Sequence, residues 1–380
     1  MMNNIKINIG SDFSGVGAFN QALIRLGVEY KEVFACDMNK FARETFIHNY
    51  GEPEYYPHNV YDREIPSESL DIYMTSPPCQ AFSLAGKRLG KDDKRGILFF
   101  NSHEFIKVNK PRFFIFENVK GLLSDDGGKT FQEWCNMLGG KSVNGVPVLF
   151  PYEESVSYHL YWQVLNAKHH GVPQNRERVF LIGIRDDADN RFQFPREEHL
   201  TRRLKDVLEN EVDDKYFLSD NTIESMIIHT EKKKLQGCGF SFKPKDKNEV
   251  ASSITTRAGS RPDDNYLKIK SATSKGYEEA TEGVIQLNPS KESGGQQPYQ
   301  QNRVFDINGI SPAILANLGG DRNHNINDYK IRRLTPRECF RLMDFPDTFT
   351  WTASDSQAYK QAGNSIVVNV LYKILKQLPL

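Results

Sequence analysis

The chain has 380 residues, enough for two or more domains and a large core. Lys plus Arg and Asp plus Glu both number 49, so overall charge argues neither for nor against a polyanionic partner. The 38% hydrophobic content is that of a globular protein, no apolar run reaches membrane-spanning length, and five scattered cysteines without a CxxC pair argue against a disulfide framework or a zinc site. The start, MMNNIKINIG, lacks an apolar signal core, which predicts a cytoplasmic protein in a reducing compartment.

From residue 5 to about 192, short apolar strands alternate with helical stretches. The strands are IKINIG, KEVFACD, LDIYMTS, RFFIFENV and RVFLIGIR. This alternation predicts a mainly parallel sheet covered on both faces. The pattern breaks near NRFQFPREE. Residues 193–330 are richer in Gly, Asn, Ser and Lys, with short irregular strands such as SSITT and GVIQL, and read as a second domain or large insertion. Helical signals return at LTPRECFRLMDF, where Thr335 is a candidate cap and Pro336 suits a first turn. The last stretch, GNSIVVNVLYKILKQL, is apolar on a helical period and is expected to pack back on the first domain.

Several polar residues fall where such strands end, and ligands gather at strand exits in α/β sheets. After the first strand, DFSGVGAF carries Gly15 and Gly17, which permit a tight turn into a helix. The same pair also fits an ordinary βα turn. Asp37 ends the second strand, where an acid usually grips ribose hydroxyls. In SPPCQAFS, two prolines hold Cys79 stiffly at the third strand exit; a packed loop cysteine is the plainer alternative. Glu117 ends the fourth strand, as a helix cap or as a carboxyl on the same rim. Arg176 and Arg178, two apart before the fifth strand, share a side and fit either a surface salt-bridge pair or a site. Together these put a thiol, a carboxyl, a guanidinium and a glycine turn on one edge.

At these residues the chain resembles the DNA cytosine-5 methyltransferases. In order it carries DFSGVGAF, SPPCQAFSLAGKR, ENVKGLL, QNRERVFLIG, RRLTPRECFRLMDFP and QAGNSIVVNVL, spanning nearly its whole length. The resemblance implies a Rossmann-like α/β sheet of the S-adenosylmethionine-dependent methyltransferase type, with a smaller, irregular β-rich target-recognition domain. The expected division is 1–192 plus 357–380 for the catalytic and cofactor domain, and 193–356 for the recognition domain and hinge.

The resemblance also implies roles. Cys79 is the nucleophile that adds to cytosine C6, Glu117 hydrogen-bonds the base at N3 and the exocyclic amine, Arg178 holds O2, and Arg176 is its neighbour in the site. A thiolate is needed because unactivated cytosine C5 is a poor nucleophile, and adduct formation makes the ring an enamine. The implied donor is S-adenosyl-L-methionine, leaving S-adenosyl-L-homocysteine as product, with no metal. Its pocket is implied at Phe13, Gly15, Gly17, Asp37, Met38, Asn59, Val60, Pro78, Leu98, Asn364 and Ile366. Three positions depart from the family pattern. Ser11 and Asp12 are shifted by one, Asp37 and Met38 replace the commoner glutamate and aromatic, and Asn59 stands for an aspartate.

The implied substrate is double-stranded DNA, with the target base flipped out of the stack. Gln80, Ser83, Lys87, Arg88 and Arg95 belong to a loop expected to close on it. Residues 232–275 hold nine Lys and two Arg against four acids, net +7, a phosphate-seeking stripe. Within SSITTRAGSRPDD, Thr255, Thr256, Arg257 and Arg261 resemble a recognition element, and Arg303 opens its neighbour, in which Ala313 and Ile314 replace the usual Thr-Leu. These readings point to the modification half of a restriction–modification pair, with the cognate endonuclease a genetic partner only and the enzyme a monomer. The alternative is the same chemistry on tRNA; the long basic insertion favours DNA.

Overall fold

The computed structural model describes residues 6–78, 97–188, 191–237, 241–270 and 329–380. The chain divides into two compact units: Met1–Glu209 with Asn248–Ser260 and Thr335–Leu380, and Asn210–Lys247 with Arg261–Leu334. Residues 193–209, 248–260 and 335–356, expected in the recognition domain, thus group with the first unit. The change in composition near 193 precedes the change in packing by some sixteen residues, because Leu204 and Val207 are still buried core.

Unit 1 is built on an eight-stranded mixed sheet. The strands are β1 (Ile7–Asp12), β2 (Tyr30–Cys36), β3 (Ile72–Thr75), β4 (Phe113–Val119), β5 (Ser142–Val143), β6 (Val146–Pro147), β7 (Tyr158–Asn166) and β9 (Glu177–Arg185), with the short β8 (Gln174–Asn175) outside it. Their order is β2-β1-β3-β4-β9-β7-β5-β6. The first four strands are mutually parallel, but β9 runs antiparallel to both β4 and β7. All five expected strands form. Six of the eight strands run one way and β9 and β6 run against them, so the sheet is mainly parallel as expected but mixed. The strand β7 is absent from the expected strands because YHLYWQVLN interleaves polar and apolar residues without a clean period.

Alternation along the strands feeds two faces. Phe34, Tyr73, Phe114 and Phe116 enter a cluster with Phe99, Phe105 and Trp134 from α3 (Ile97–Asn109) and α4 (Lys129–Leu138). Residues one step along, such as Phe113 and Ile115, face the other side. Among the helices of this unit, α1 (Ala18–Leu26) packs on the C-terminal α8 (Val368–Leu375), as the apolar period of the last segment predicts. Gly183 is required here, since a Cβ on it would lie 2.0 Å from the Phe114 ring. The second helix, α2 (Lys40–Tyr50), is capped by Asn39, whose side chain accepts from Ala42 N–H.

Unit 2 carries α5 (Asp220–Leu235), capped by Ser219, and a two-stranded antiparallel sheet of β11 (Tyr266–Lys270) and β12 (Tyr329–Arg333). Tyr266 is buried and meets Phe242 edge-on at 5.2 Å. The helix α5 is absent from the sequence reading: Ile227 and Ile228 remain about half exposed, so its apolar stripe is weak. The remaining elements belong to unit 1. They are β10 (Ala251–Ser252), which pairs with β8, and the helices α6 (Pro336–Leu342) and α7 (Asp355–Asn364). Thr335 caps α6 as expected and forms a capping box with Glu338. Among the described residues no helix is long and apolar enough to cross a membrane.

Candidate active site

A cavity of about 710 Å³ opens where β1, β2, β3 and β4 end. That is the edge at which α/β sheets bind ligands. Its wall begins at the turn after β1. Phe13 takes a left-handed φ of 58° and Gly15 one of 55°, so the chain folds sharply before α1. Gly15 N–H donates to Asp37 Oδ2 at 2.8 Å, and Asn39 N–H donates to Asp37 Oδ1 at 2.7 Å. The carboxylate therefore locks the first turn to the second. Burial pushes the Asp37 carboxyl above its ordinary value, against the pull of those two N–H groups and of Arg43.

Of the eleven expected cofactor residues, Phe13, Gly15, Asp37, Met38, Asn59, Val60, Pro78, Leu98, Asn364 and Ile366 line this cavity. Gly17 does not. It caps α1 at φ 83°, and a Cβ there would lie 2.2 Å from the Tyr50 ring, so its absence of a side chain serves packing. Met38 is 82% exposed and so places a thioether at the rim, where the resemblance implies an aromatic ring. Asn59 Oδ1 accepts from Tyr61 N–H at 3.1 Å and so holds its own turn. The shifted acid is explained by its partners. Asp12 turns into the protein, with Oδ1 2.9 Å from Arg63 Nε and Oδ2 accepting from the Tyr73 hydroxyl at 2.5 Å.

The donor set fits an adenosyl group: an aromatic side chain, a carboxylate for vicinal hydroxyls, and a close-approaching glycine backbone. S-adenosyl-L-methionine would be held by Phe13, Gly15, Asp37 and the turn at Asn364 and Ile366.

Glu117 and Arg178 also line the cavity. In the antiparallel ladder Glu117 stands opposite Phe180, and Arg178 opposite Val119. The two side chains are thus diagonal neighbours on one face. Arg178 Nε lies 3.0 Å from Glu117 Oε1. Burial raises the Glu117 pKa above the ordinary carboxylate value, while Arg178 and Arg176 pull it back down. Asn118, on the opposite face, donates from Nδ2 to Pro77 O at 3.1 Å and ties this strand to the loop that leads to Pro78.

Arg176 behaves differently from Arg178. It is 3% exposed, and Nη1 donates to Ser253 Oγ at 3.1 Å and Ile254 O at 2.9 Å. Nη2 donates to Gly363 O at 2.9 Å and Ser365 O at 2.8 Å. Burial pulls its pKa down to about 9. Its terminal nitrogens are committed to the protein, which argues for holding structure rather than meeting a base.

Cys79 lies outside the described residues, as do Gln80, Ser83, Lys87, Arg88, Arg95 and Arg303 and the stretch with GVIQL, Ala313 and Ile314. The described cysteines, Cys36, Cys135 and Cys339, are all buried. Cys36 lines the cavity, but burial first and then Asp12 push its thiol up to about 12, and burial does the same to Cys135. Neither supplies thiolate near neutral pH. In unit 1, Thr255 is half-buried while Thr256 and Arg257 are exposed; in unit 2, Arg261 is exposed, and its N–H donates to Asp264 Oδ2. The sequence gives Asn118, Gln174 and Ser253 a place in the blocks ENVKGLL, QNRERVFLIG and SSITTRAGSRPDD but no role, and Arg63 carries no signal at all.

Comparison with known proteins gives the family of the chain. The family model described as C-5 cytosine-specific DNA methylase matches residues 7–379. The orphan methyltransferase M.SPRI of Bacillus phage SPR is 31% identical over 449 residues, covering 98% of this chain and 97% of its own. The type II methyltransferase M.HhaI of Haemophilus parahaemolyticus is 31% identical over 368 residues, covering 95% and 91%. Among solved structures, a DNMT2 mutant of Spodoptera frugiperda matches with a TM-score of 0.65 at 20% identity, covering 98% of this chain and 99% of its own. The Entamoeba histolytica methyltransferase EhMeth gives 0.65 at 17%, covering 98% and 97%. At these identities the solved structures speak for the fold alone.

Proposed function

The chain belongs to the C-5 cytosine-specific DNA methylases, and from that premise we propose that it methylates cytosine C5 in duplex DNA with S-adenosyl-L-methionine as donor. When bound, the cofactor supplies an electrophilic methyl group. Cys79 adds as thiolate to C6 of the flipped base, and the bond order shifts so that C5 carries the nucleophilic electron pair. Glu117, whose pKa burial raises against the pull of Arg178 and Arg176, passes a proton to N3 and accepts from the exocyclic amine; Arg178 both orients Glu117 and holds O2. Methyl transfer would release S-adenosyl-L-homocysteine; a solvent base then takes the C5 proton, Cys79 leaves as thiolate to restore the aromatic ring, and N3 returns its proton to Glu117. The enzyme acts as a monomer in the cytoplasm of a bacterial or phage-infected cell, as the modification partner of an endonuclease. Unit 2 and the segment at Thr255, Thr256 and Arg257 contact the DNA.

What supports this reading is the pair Glu117 and Arg178, 3.0 Å apart and walling the same cavity as Phe13 and Asp37. An acid held by a guanidinium beside an adenosyl-sized pocket is the arrangement a pyrimidine adduct requires. The test is methyl transfer from labelled S-adenosyl-L-methionine to duplex DNA or tRNA, with a 5-fluorocytosine duplex as covalent trap. Label on DNA and an adduct mapped to Cys79 are expected, and Cys79→Ser abolishes both. Label on tRNA alone would move the substrate, and an adduct elsewhere would remove Cys79. Bisulfite sequencing of DNA from expressing cells then reads the target sequence.

A further inference from the structure

Four acceptors converge on Arg176, and they come from two places in the sequence. Ser253 and Ile254 belong to the segment that carries Thr255, Thr256 and Arg257. Gly363 and Ser365 flank Asn364, on the cavity wall assigned to the cofactor. The same two pieces of chain also touch directly. A Cβ on Gly363 would lie 2.4 Å from Thr255 C and 2.5 Å from both Thr255 O and Thr256 N, a fit only glycine allows. Gln174 adds a brace, accepting from Ile254 N–H at 2.9 Å and donating to Leu342 O at 2.7 Å. The backbone that would meet DNA is therefore packed against the backbone that would meet the cofactor, inside one unit, with a single guanidinium bonded to both.

We propose that Arg176 is a positioning residue that couples DNA binding at residues 255–257 to cofactor binding at residues 363–366. The inference rests on the function proposed above for those two stretches. A shift of either backbone breaks hydrogen bonds of a buried cation, which is costly when they are left unmade. An arrangement fixed by one ligand is thus the arrangement offered to the other. By linkage the effect is reciprocal: whatever factor DNA gives the cofactor, the cofactor gives DNA.

The test measures S-adenosyl-L-homocysteine affinity by calorimetry, alone and with a saturating duplex that carries the sequence found by bisulfite sequencing. Wild-type protein should bind the product about tenfold tighter or more with the duplex present, within the usual range of coupling. Arg176→Met should bring that ratio to within about twofold of one while the unfolding temperature still reports a folded protein. Ser253→Ala, which removes one neutral acceptor and leaves the rest, should reduce the ratio by about threefold; it serves if Arg176→Met does not fold. Arg176→Lys should restore part of the ratio. Retention of the wild-type ratio in both Arg176→Met and Ser253→Ala, or a wild-type ratio near one in an enzyme that does methylate DNA, overturns the inference. A wild-type enzyme that transfers no methyl group to DNA instead overturns the function on which it rests.

Discussion

Replacing Arg63 by methionine tests the buried pair beneath the cofactor cavity. Both side chains are essentially inaccessible, at 2% for Arg63 and 0% for Asp12. Asp12 keeps one partner after the change, the Tyr73 hydroxyl. Burial already raises the Asp12 pKa, and Arg63 is the largest influence holding it down. Arg63 in turn has its guanidinium carbon 4.6 Å from the Phe105 ring centroid, an apolar setting that methionine can fill. Removing one partner of a buried pair costs about 3–5 kcal/mol, because the other charge stays buried. For a domain of this size that is a fall of roughly 6–20 °C in unfolding temperature. Asp12→Leu should cost a similar amount by stranding the cation. The double variant Asp12→Leu with Arg63→Met should lose about 3 kcal/mol less than the two single losses added together, since no charge is left unpaired. Thermal unfolding followed by circular dichroism reads all four proteins. Additive losses, or an Arg63→Met protein melting within 2 °C of wild type (about 1 kcal/mol), would refute the reasoning.

Glu117→Gln keeps the shape and one donor but cannot pass a proton to N3. Turnover should fall about 10²–10⁴-fold, with duplex affinity nearly unchanged in a filter-binding assay; a near wild-type rate removes the acid role. Gly17→Ala places a methyl group 2.2 Å from the Tyr50 ring at a φ of 83°. It should lower stability by about 1–3 kcal/mol, read from the urea midpoint, and an unchanged midpoint contradicts the packing role. Glu32 is pushed up to about 8 by burial, against a hydrogen bond from Asn20. Its folded pKa exceeds the unfolded one, so the folded chain holds the proton longer and stability falls as pH rises from about 4.5 to about 8. Glu32→Gln should be increasingly more stable than wild type across that interval, and a constant difference in unfolding temperature refutes the assignment.

The strands of the first unit were legible because their apolar runs are short and bounded, and buried strands need little else. The reversal of β9 was not. Whether β9 runs with β4 or against it depends on β7, whose mixed residues hide its period. Yet that direction makes Glu117 and Arg178 diagonal neighbours, so the motif residues were visible in the sequence while the reason they meet was not. Asp12 shows the converse. It reads as a departure from a pattern until Arg63, 51 positions away, accounts for it.

The two arginines of QNRER mark where reading by motif stops. They are the same residue type, two positions apart, and both line the cavity. One is aimed at a carboxylate brought close by the sheet register. The other is aimed at carbonyls 78, 187 and 189 residues further along the chain. A guanidinium has five N–H groups and no preference of its own between a substrate and a backbone. What decides is which acceptors the folded chain has already placed within reach. Arg176 therefore acts on whatever those carbonyls carry with them, and at this site they belong to the DNA segment and to the cofactor wall.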